Sequence, residues 1–242
     1  SIFASALRVD CVRNHGDDMN LAFVCVGAGR GVRFGGDKLA EMLGSRTVFA
    51  MALSGLVRAV PAAPMVVVVG EARFDFWRDH LSQEFPQARF VVGGDRRQDS
   101  VRAGVLSAAQ AGADVVAVHD AARPLVHPAD VKAVIDAVGG AGGAILSARV
   151  SDTVKRVDGE DMVVDTVARD RLRFALTPQV FQVAILMEVW QRTDPGKLWT
   201  DEAALLESTG IRVRSVLARH PNPKVTTEAD LQVVRAIMEA VS

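Results

Sequence analysis

Apolar positions along this chain follow two periods in turn. Leu21-Ala-Phe-Val-Cys-Val26 and Met65-Val-Val-Val-Val69 are continuous apolar runs too short for a helix, and each predicts a strand buried on both faces. Arg89-Phe-Val-Val92, Ala113-Asp-Val-Val-Ala117 and Gly142-Gly-Ala-Ile-Leu-Ser147 predict further strands. Between them the spacing becomes helical. Phe49, Leu53, Leu56 and Val60 share one face of segment 47–60, which Pro61 and Pro64 end. Segments 74–85, 98–111 and 130–138 repeat that spacing, the first with Phe and Trp turned inward. Strands alternating with helices are what a parallel sheet requires, so the fold class expected is α/β.

The pattern breaks at Arg149. Ser151-Asp-Thr-Val-Lys155 and Met162-Val-Val-Asp-Thr-Val167, on either side of a turn at Asp158-Gly159, predict a protruding β-hairpin arm over about 149–170. Beyond it the spacing predicts helices over 181–192 and 228–240 and a strand over 211–216. Thr200-Asp-Glu-Ala203 reads as a capping-type helix start. No repeat, linker or low-complexity tract intervenes, so residues 19–242 read as one domain with an arm. Residues 1–18 do not share the pattern and lack the cleavage site of a signal peptide. They are expected to be a disordered extension ahead of a native start at Met19.

Composition narrows the class. The chain has 242 residues, 49% of them hydrophobic, enough for a sizeable core. A net charge of −1 gives no basic footprint, so nucleic acid is not an expected partner. No apolar run approaches the ~18 residues of a membrane span, and a cytoplasmic location is expected. The two cysteines, Cys11 and Cys25, form no CxxC pair and read as incidental reduced thiols.

The candidate chemistry sits at strand ends. Val118-His-Asp-Ala-Ala-Arg-Pro124 delivers an acid and a base to the edge where open α/β sheets bind ligands. Asp120 there can hold a hard cation through oxygen, and Arg123 can grip a phosphate in bidentate fashion. The same residues also fit a capped turn. Gly27-Ala-Gly-Arg-Gly-Val-Arg33 with Gly35-Gly-Asp-Lys38 follows the first strand as a glycine-dense loop carrying cations, which suggests a phosphate-binding loop. It is neither a dinucleotide motif nor a Walker A loop, since Lys38 precedes no Ser or Thr. His119 is expected to pack or bond to backbone, and His80, His127 and His220 stand isolated.

These motifs resemble the 2-C-methyl-D-erythritol 4-phosphate cytidylyltransferase family of the non-mevalonate isoprenoid pathway. The resemblance covers essentially everything after Met19. It rests on the loop above, Gly93-Gly-Asp-Arg-Arg-Gln-Asp-Ser-Val101, Val118–Pro124, Asp152-Thr-Val-Lys155, Leu176-Thr-Pro-Gln179, Thr200–Ala203 and Lys224-Val-Thr-Thr227. It implies a Rossmann-like nucleotidyltransferase three-layer sandwich with a mostly parallel sheet. It also implies a homodimer clasped by the arms, and CTP, a sugar-alcohol phosphate and Mg²⁺ or another divalent cation as ligands. Carried over position by position, Ala28, Gly29, Arg33 and Lys38 would line the triphosphate. Gly94, Asp95 and Ser100 would meet cytosine and ribose, and Asp120 would lie by the metal and ribose. Lys224 would lie by the α-phosphate. Arg123, Thr153, Arg169 and Thr177 would hold the sugar phosphate, some from a neighbouring subunit.

The chain departs from the family pattern at Val26-Gly-Ala-Gly29, where Pro-Ala-Ala-Gly is usual, and at Asp37-Lys38-Leu39, where Pro-Lys-Gln is usual. Gly-Gly-Asp-Lys-Leu also resembles molybdopterin nucleotidyltransferases. Ribitol 5-phosphate cytidylyltransferase and a CTP-binding regulator without catalysis are the rival readings. A fused cyclase domain, which occurs with the family, is not expected here. The implied reaction is attack by a phosphate-monoester oxygen on the α-phosphorus of CTP, expelling pyrophosphate. The nucleophile is already anionic, so no general base is needed. Arg33, Lys38 and Lys224 are the expected catalytic cations.

Overall fold

The computed structural model describes residues 20–29 and 34–241. Strand β1 (Leu21–Gly27) leads through a small hairpin, β2 (Met42–Leu43) and β3 (Arg46–Thr47), into helix α1 (Val48–Ala59). There follow β4 (Met65–Val69), α2 (Phe74–Ser82), β5 (Arg89–Val92), α3 (Arg97–Gln110), β6 (Val115–Asp120), α4 (Pro128–Asp136) and β7 (Gly143–Arg149). The arm comprises β8 (Val154–Val157) and β9 (Val163–Val167). Strand β10 (Arg173–Gln182), helices α5 (Val183–Arg192) and α6 (Glu202–Glu207), β11 (Val213–Leu217) and α7 (Glu228–Val241) complete the described chain.

One sheet holds seven strands in the order β11-β7-β10-β6-β1-β4-β5. All its pairings are parallel except those of β10, which runs antiparallel to both β6 and β7. The two-residue period of the apolar runs divides each central strand between two cores. Phe23, Cys25, Val67 and Val69 pack under α1, α2, α4 and α7 with Phe49, Leu53, Trp77, Val134 and Leu231. Ala22, Val24, Val66 and Val68 pack under α3, α5 and α6 with Val105, Leu186 and Leu206. The result is the three-layer α/β sandwich. Helix α3 rides close to the sheet, because a Cβ on Gly104 would stand 2.4 Å from Val24. Helix α1 begins where the Thr47 hydroxyl accepts the Ala50 amide at 3.2 Å.

Two boundaries differ from expectation. Phe181 does not start a helix but lies in β10, fully buried and paired with Val116 and Gly143. Pro178 cannot donate to a ladder and hides this strand in the sequence. The sheet accommodates it at a register shift between Ala175 and Gln179. The cap of α6 is Asp201 rather than Thr200, its carboxylate accepting the Ala204 amide at 2.9 Å. The arm is a separate two-stranded sheet, and Met162, Val163 and Val164 near its tip are each more than 60% exposed. The expected extension, residues 1–18, and Arg33 lie outside the described residues. Among the described residues no helix is long and apolar enough to cross a membrane.

The topology locates the site. From β1 the chain moves to β4 and β5 on one side, then returns to β6 on the other. The carboxyl ends of β1 and β6 therefore flank a switch point, where such sheets open a crevice. Register places Val26 opposite Asp120 at that end.

Candidate active site

Each wall of the crevice follows from local sequence. The turn after β1 places Ala28 and Gly29, and the loop before β2 places Lys38. Across from them, the loop after β5 runs into the N-terminus of α3. Glycine is required there because a Cβ on Gly93 would meet Ala28 and Ser100 at 2.6 Å, and one on Gly94 would meet Asp99 at 2.6 Å. The Ser100 hydroxyl accepts the Gly94 amide at 3.1 Å and so fixes this loop. No side chain caps α3, and Arg96 and Arg97 at its start line the crevice, the kind of helix end at which anions bind.

Ala28, Gly29, Lys38, Gly94, Asp95, Ser100, Asp120 and Lys224 line one cavity of about 380 Å³, together with Arg97. A groove of about 670 Å³ shares the first five of these residues and extends past Glu71 and Arg73.

Asp120 is the buried centre. One carboxylate oxygen accepts the Lys224 ammonium at 2.7 Å and the other the Arg97 Nε at 3.2 Å. Its amide donates to the Thr177 hydroxyl at 3.1 Å. Burial by itself would raise its pKa, but Arg97 and Lys224 outweigh that and hold the carboxyl well below the usual range. Arg97 in turn donates to both oxygens of Glu202 at 2.9 and 3.0 Å. Burial lifts the Glu202 carboxyl above its ordinary range, Arg97 offsetting part of the rise.

Behind this row lies a layer of support. Thr177 is buried and commits its hydroxyl to the Asp120 amide and to His119 Nδ1, 3.0 Å away. His119 is fully buried, and its Nε2 lies 3.1 Å from the Arg123 carbonyl. A carbonyl only accepts, so Nε2 carries the proton and Nδ1 receives the Thr177 hydroxyl. Burial brings this imidazole's pKa down to about 4, and it stays neutral, bonded to backbone as expected. Gln179 donates to Asp201 at 2.8 Å, tying β10 to α6.

Three sequence-predicted residues lie elsewhere. Arg123 is buried, donates to the Asn222 carbonyl at 2.7 Å, and lines a separate groove of about 740 Å³ with Arg149, Phe174 and His220. Its Nε has no hydrogen-bond partner among the described residues. Thr153 and Arg169 are exposed on the arm and line neither groove. Arg169 donates to the Ser151 carbonyl.

Sequence reasoning passed over Arg97, Glu202 and Asn222. The first two lie inside motifs already singled out, and the available signal was charge: an Arg and a Glu, each in a helix's first turn.

The sequence profile of IspD, 2-C-methyl-D-erythritol 4-phosphate cytidylyltransferase, matches residues 21–240. A protein of that name from Pelotomaculum thermopropionicum is 34% identical over 231 residues, covering 91% of this chain and 94% of the relative. A bifunctional enzyme IspD/IspF from Nitrobacter winogradskyi is 35% identical over 213 residues, covering 86% of this chain and 53% of the relative. Among solved structures, the 2-C-methyl-D-erythritol 4-phosphate cytidylyltransferase of Thermus thermophilus superposes with a TM-score of 0.73 at 28% identity. It covers 91% of this chain and 100% of that one.

Proposed function

Because this chain belongs to the IspD family, the 2-C-methyl-D-erythritol 4-phosphate cytidylyltransferases, we propose a role for each part of its crevice. The enzyme transfers CMP from CTP to 2-C-methyl-D-erythritol 4-phosphate, giving 4-diphosphocytidyl-2-C-methyl-D-erythritol and pyrophosphate in isoprenoid precursor synthesis. A phosphate oxygen of the acceptor attacks the α-phosphorus, and the bond to the bridging oxygen of pyrophosphate breaks. The protein's task is to neutralise charge and hold the attack in line.

Ala28, Gly29 and the uncapped end of α3 cradle the triphosphate, with Lys38 and Arg33 as its cations. Gly94, Asp95 and Ser100 receive cytosine and ribose. Lys224 faces the α-phosphate, turning from Asp120 as substrate charge arrives. The observation that carries this reading is that Ala28, Gly29, Lys38, Gly94, Asp95 and Ser100 line one cavity with Asp120 and the Lys224 bonded to it.

Mg²⁺ fits the donor set as a one-carboxylate site. Asp120 presents an ionised oxygen ligand in the crevice, and Mg²⁺ commonly takes one or two carboxylates plus substrate phosphates. Bound there, it would supply charge neutralisation to the triphosphate. Arg123 holds the sugar phosphate from its own groove, and Thr177 acts through the Asp120 amide it accepts. The exposed apolar arm supports a homodimer in which Thr153 and Arg169 reach a partner's site. A cytoplasmic location goes with this reading.

The test is pyrophosphate release with Mg²⁺, pairing CTP, UTP, GTP and ATP with methylerythritol phosphate and with ribitol phosphate. Release confined to CTP with methylerythritol phosphate is expected. Release with ribitol phosphate alone would replace the acceptor, and CTP binding without release would make the chain a regulator. Sedimentation of the wild type against a Val163→Asp, Val164→Asp variant tests the arm-mediated dimer.

A further inference from the structure

His127 and His220, isolated in the sequence, come together in the fold. Their rings stack with centroids 3.5 Å apart, outside the cavity around Asp120. Beside them stands Asp130, only 2% exposed. At the third position of α4, a carboxylate ordinarily serves its own helix end. This one is turned away to another segment. One oxygen accepts the Arg219 amide at 3.1 Å, and the other accepts the His220 amide at 3.0 Å and His220 Nδ1 at 3.1 Å. His127 caps α4, its Nδ1 accepting the Ala129 amide at 3.2 Å. The stacked ring thereby seats His220 against the start of the same helix.

The segment so gripped is the loop from β11 to α7. The Val225 amide donates to the Ala122 carbonyl at 2.8 Å and fixes its far end. Between the two anchors the loop carries Asn222 and Lys224. Asn222 takes Arg123 on its carbonyl and donates its side-chain amide to the Thr177 carbonyl at 2.8 Å. Lys224 reaches Asp120. A loop that bears two functional contacts within three residues has little freedom to absorb a shift at its entrance.

We propose that Asp130, with His220 as its side-chain donor, is a positioning residue for Lys224 and Arg123. It touches neither substrate and acts by setting where the loop enters. The proposal rests on the assignment of Lys224 and Arg123 to the α-phosphate and the sugar phosphate. Most of the nucleotide is held by the β1 turn and the α3 loop, and this loop meets it only at the reacting α-phosphate through Lys224, so the effect falls on turnover and on the acceptor rather than on CTP affinity.

The experiment is steady-state kinetics of Asp130→Asn, His220→Ala and His220→Asn against both substrates, with hydrogen exchange on the same proteins. A misplacement of about 1 Å can cost ~10²-fold, and Asp130→Asn is expected to lower kcat/KM for the sugar phosphate by ~10- to 100-fold while the KM for CTP stays within ~2-fold. His220→Ala is expected to move the same constants in the same direction. His220→Asn, which keeps a side-chain donor for Asp130, is expected to recover them. A purely structural role would lower the active fraction or the melting temperature and leave both KM values alone, and that result overturns the proposal. The His220 pair decides the matter if Asp130→Asn does not fold. Silence of the wild type would count against the assigned reaction instead. The anchoring is then read from exchange alone, where Asp130→Asn must speed the amides of Arg219, His220 and Val225 but not those of β6. Unchanged exchange there overturns it.

Discussion

Replacing Arg97 with Met removes a charge and keeps most of the side chain's bulk. Glu202, 3% exposed, then loses the guanidinium that donates to both its oxygens. Asp120 keeps Lys224 at 2.7 Å, so the change falls chiefly on Glu202. Burial already raises the Glu202 pKa from its ordinary 4.5, and without Arg97 the offset is gone. Folded Glu202 then holds a proton over a pH range in which the unfolded chain has released it. The folded state binds more protons, so stability falls as pH rises above 4.5, by about 1.4 kcal/mol per unit until the folded pKa is reached. At pH 8, about 3.5 units higher, that slope caps the penalty near 5 kcal/mol, within the ~3–5 kcal/mol typical of breaking a buried pair. The assay is chemical denaturation of wild type and variant at pH 5, 6, 7 and 8. The gap between them should widen as pH rises from 5, by no more than about 4 kcal/mol over that range. Arg97→Met combined with Glu202→Gln should flatten the dependence. A gap that does not change with pH would refute the reasoning, because it would mean that Glu202 never depended on Arg97 for its charge.

Lys224→Ala is expected to lower turnover by roughly 10²- to 10³-fold while the melting temperature moves only a few degrees, since the side chain is 38% exposed. Steady-state rates with thermal melts check it, and unchanged turnover removes Lys224 from the chemistry. His119, with its pKa near 4 when folded and 6.5 otherwise, binds its proton more readily unfolded. Its contribution to stability is therefore lost as pH falls from 6.5 through 4, about 2 kcal/mol of it by pH 5. Imidazole NMR should find the ring neutral at pH 5.5, and an imidazolium signal there would contradict the burial argument. Gly104→Ala forces a Cβ to within 2.4 Å of Val24 and 2.7 Å of Val68 and should cost about 1–3 kcal/mol in urea denaturation.

Much of this was legible in the sequence, for definite reasons. Met65–Val69 announced itself because a strand covered on both faces must be apolar throughout. The family resemblance pointed to Gly94, and the fold gives the reason for glycine at 93 and 94, since nothing larger fits against Ala28, Ser100 and Asp99. Strand β10 stayed hidden because its first residues are exposed, its last are buried, and Pro178 interrupts the run. Arg97 and Glu202 could be seen as charges but not as partners, since 105 residues separate them and linear spacing carries no trace of the pairing. His127, Asp130 and His220 were dispersed in the same way. Sequence shows which residues have unusual requirements, and the fold decides whom they meet.

The separation of these partners also orders events in time. Lys224 lies 104 residues after the carboxylate it meets, and Asn222 lies 99 residues after Arg123. At about 5–20 residues per second, a ribosome would release Asp120 roughly 5–20 s before Lys224 exists. The sheet from β1 to β6 can gather from nearby segments, but the crevice closes only through contacts that pay a long loop's entropy. On the ribosome Asp120 and Arg97 are therefore made well before the ammonium that completes the crevice, and the site becomes competent only once the Lys224 loop has docked.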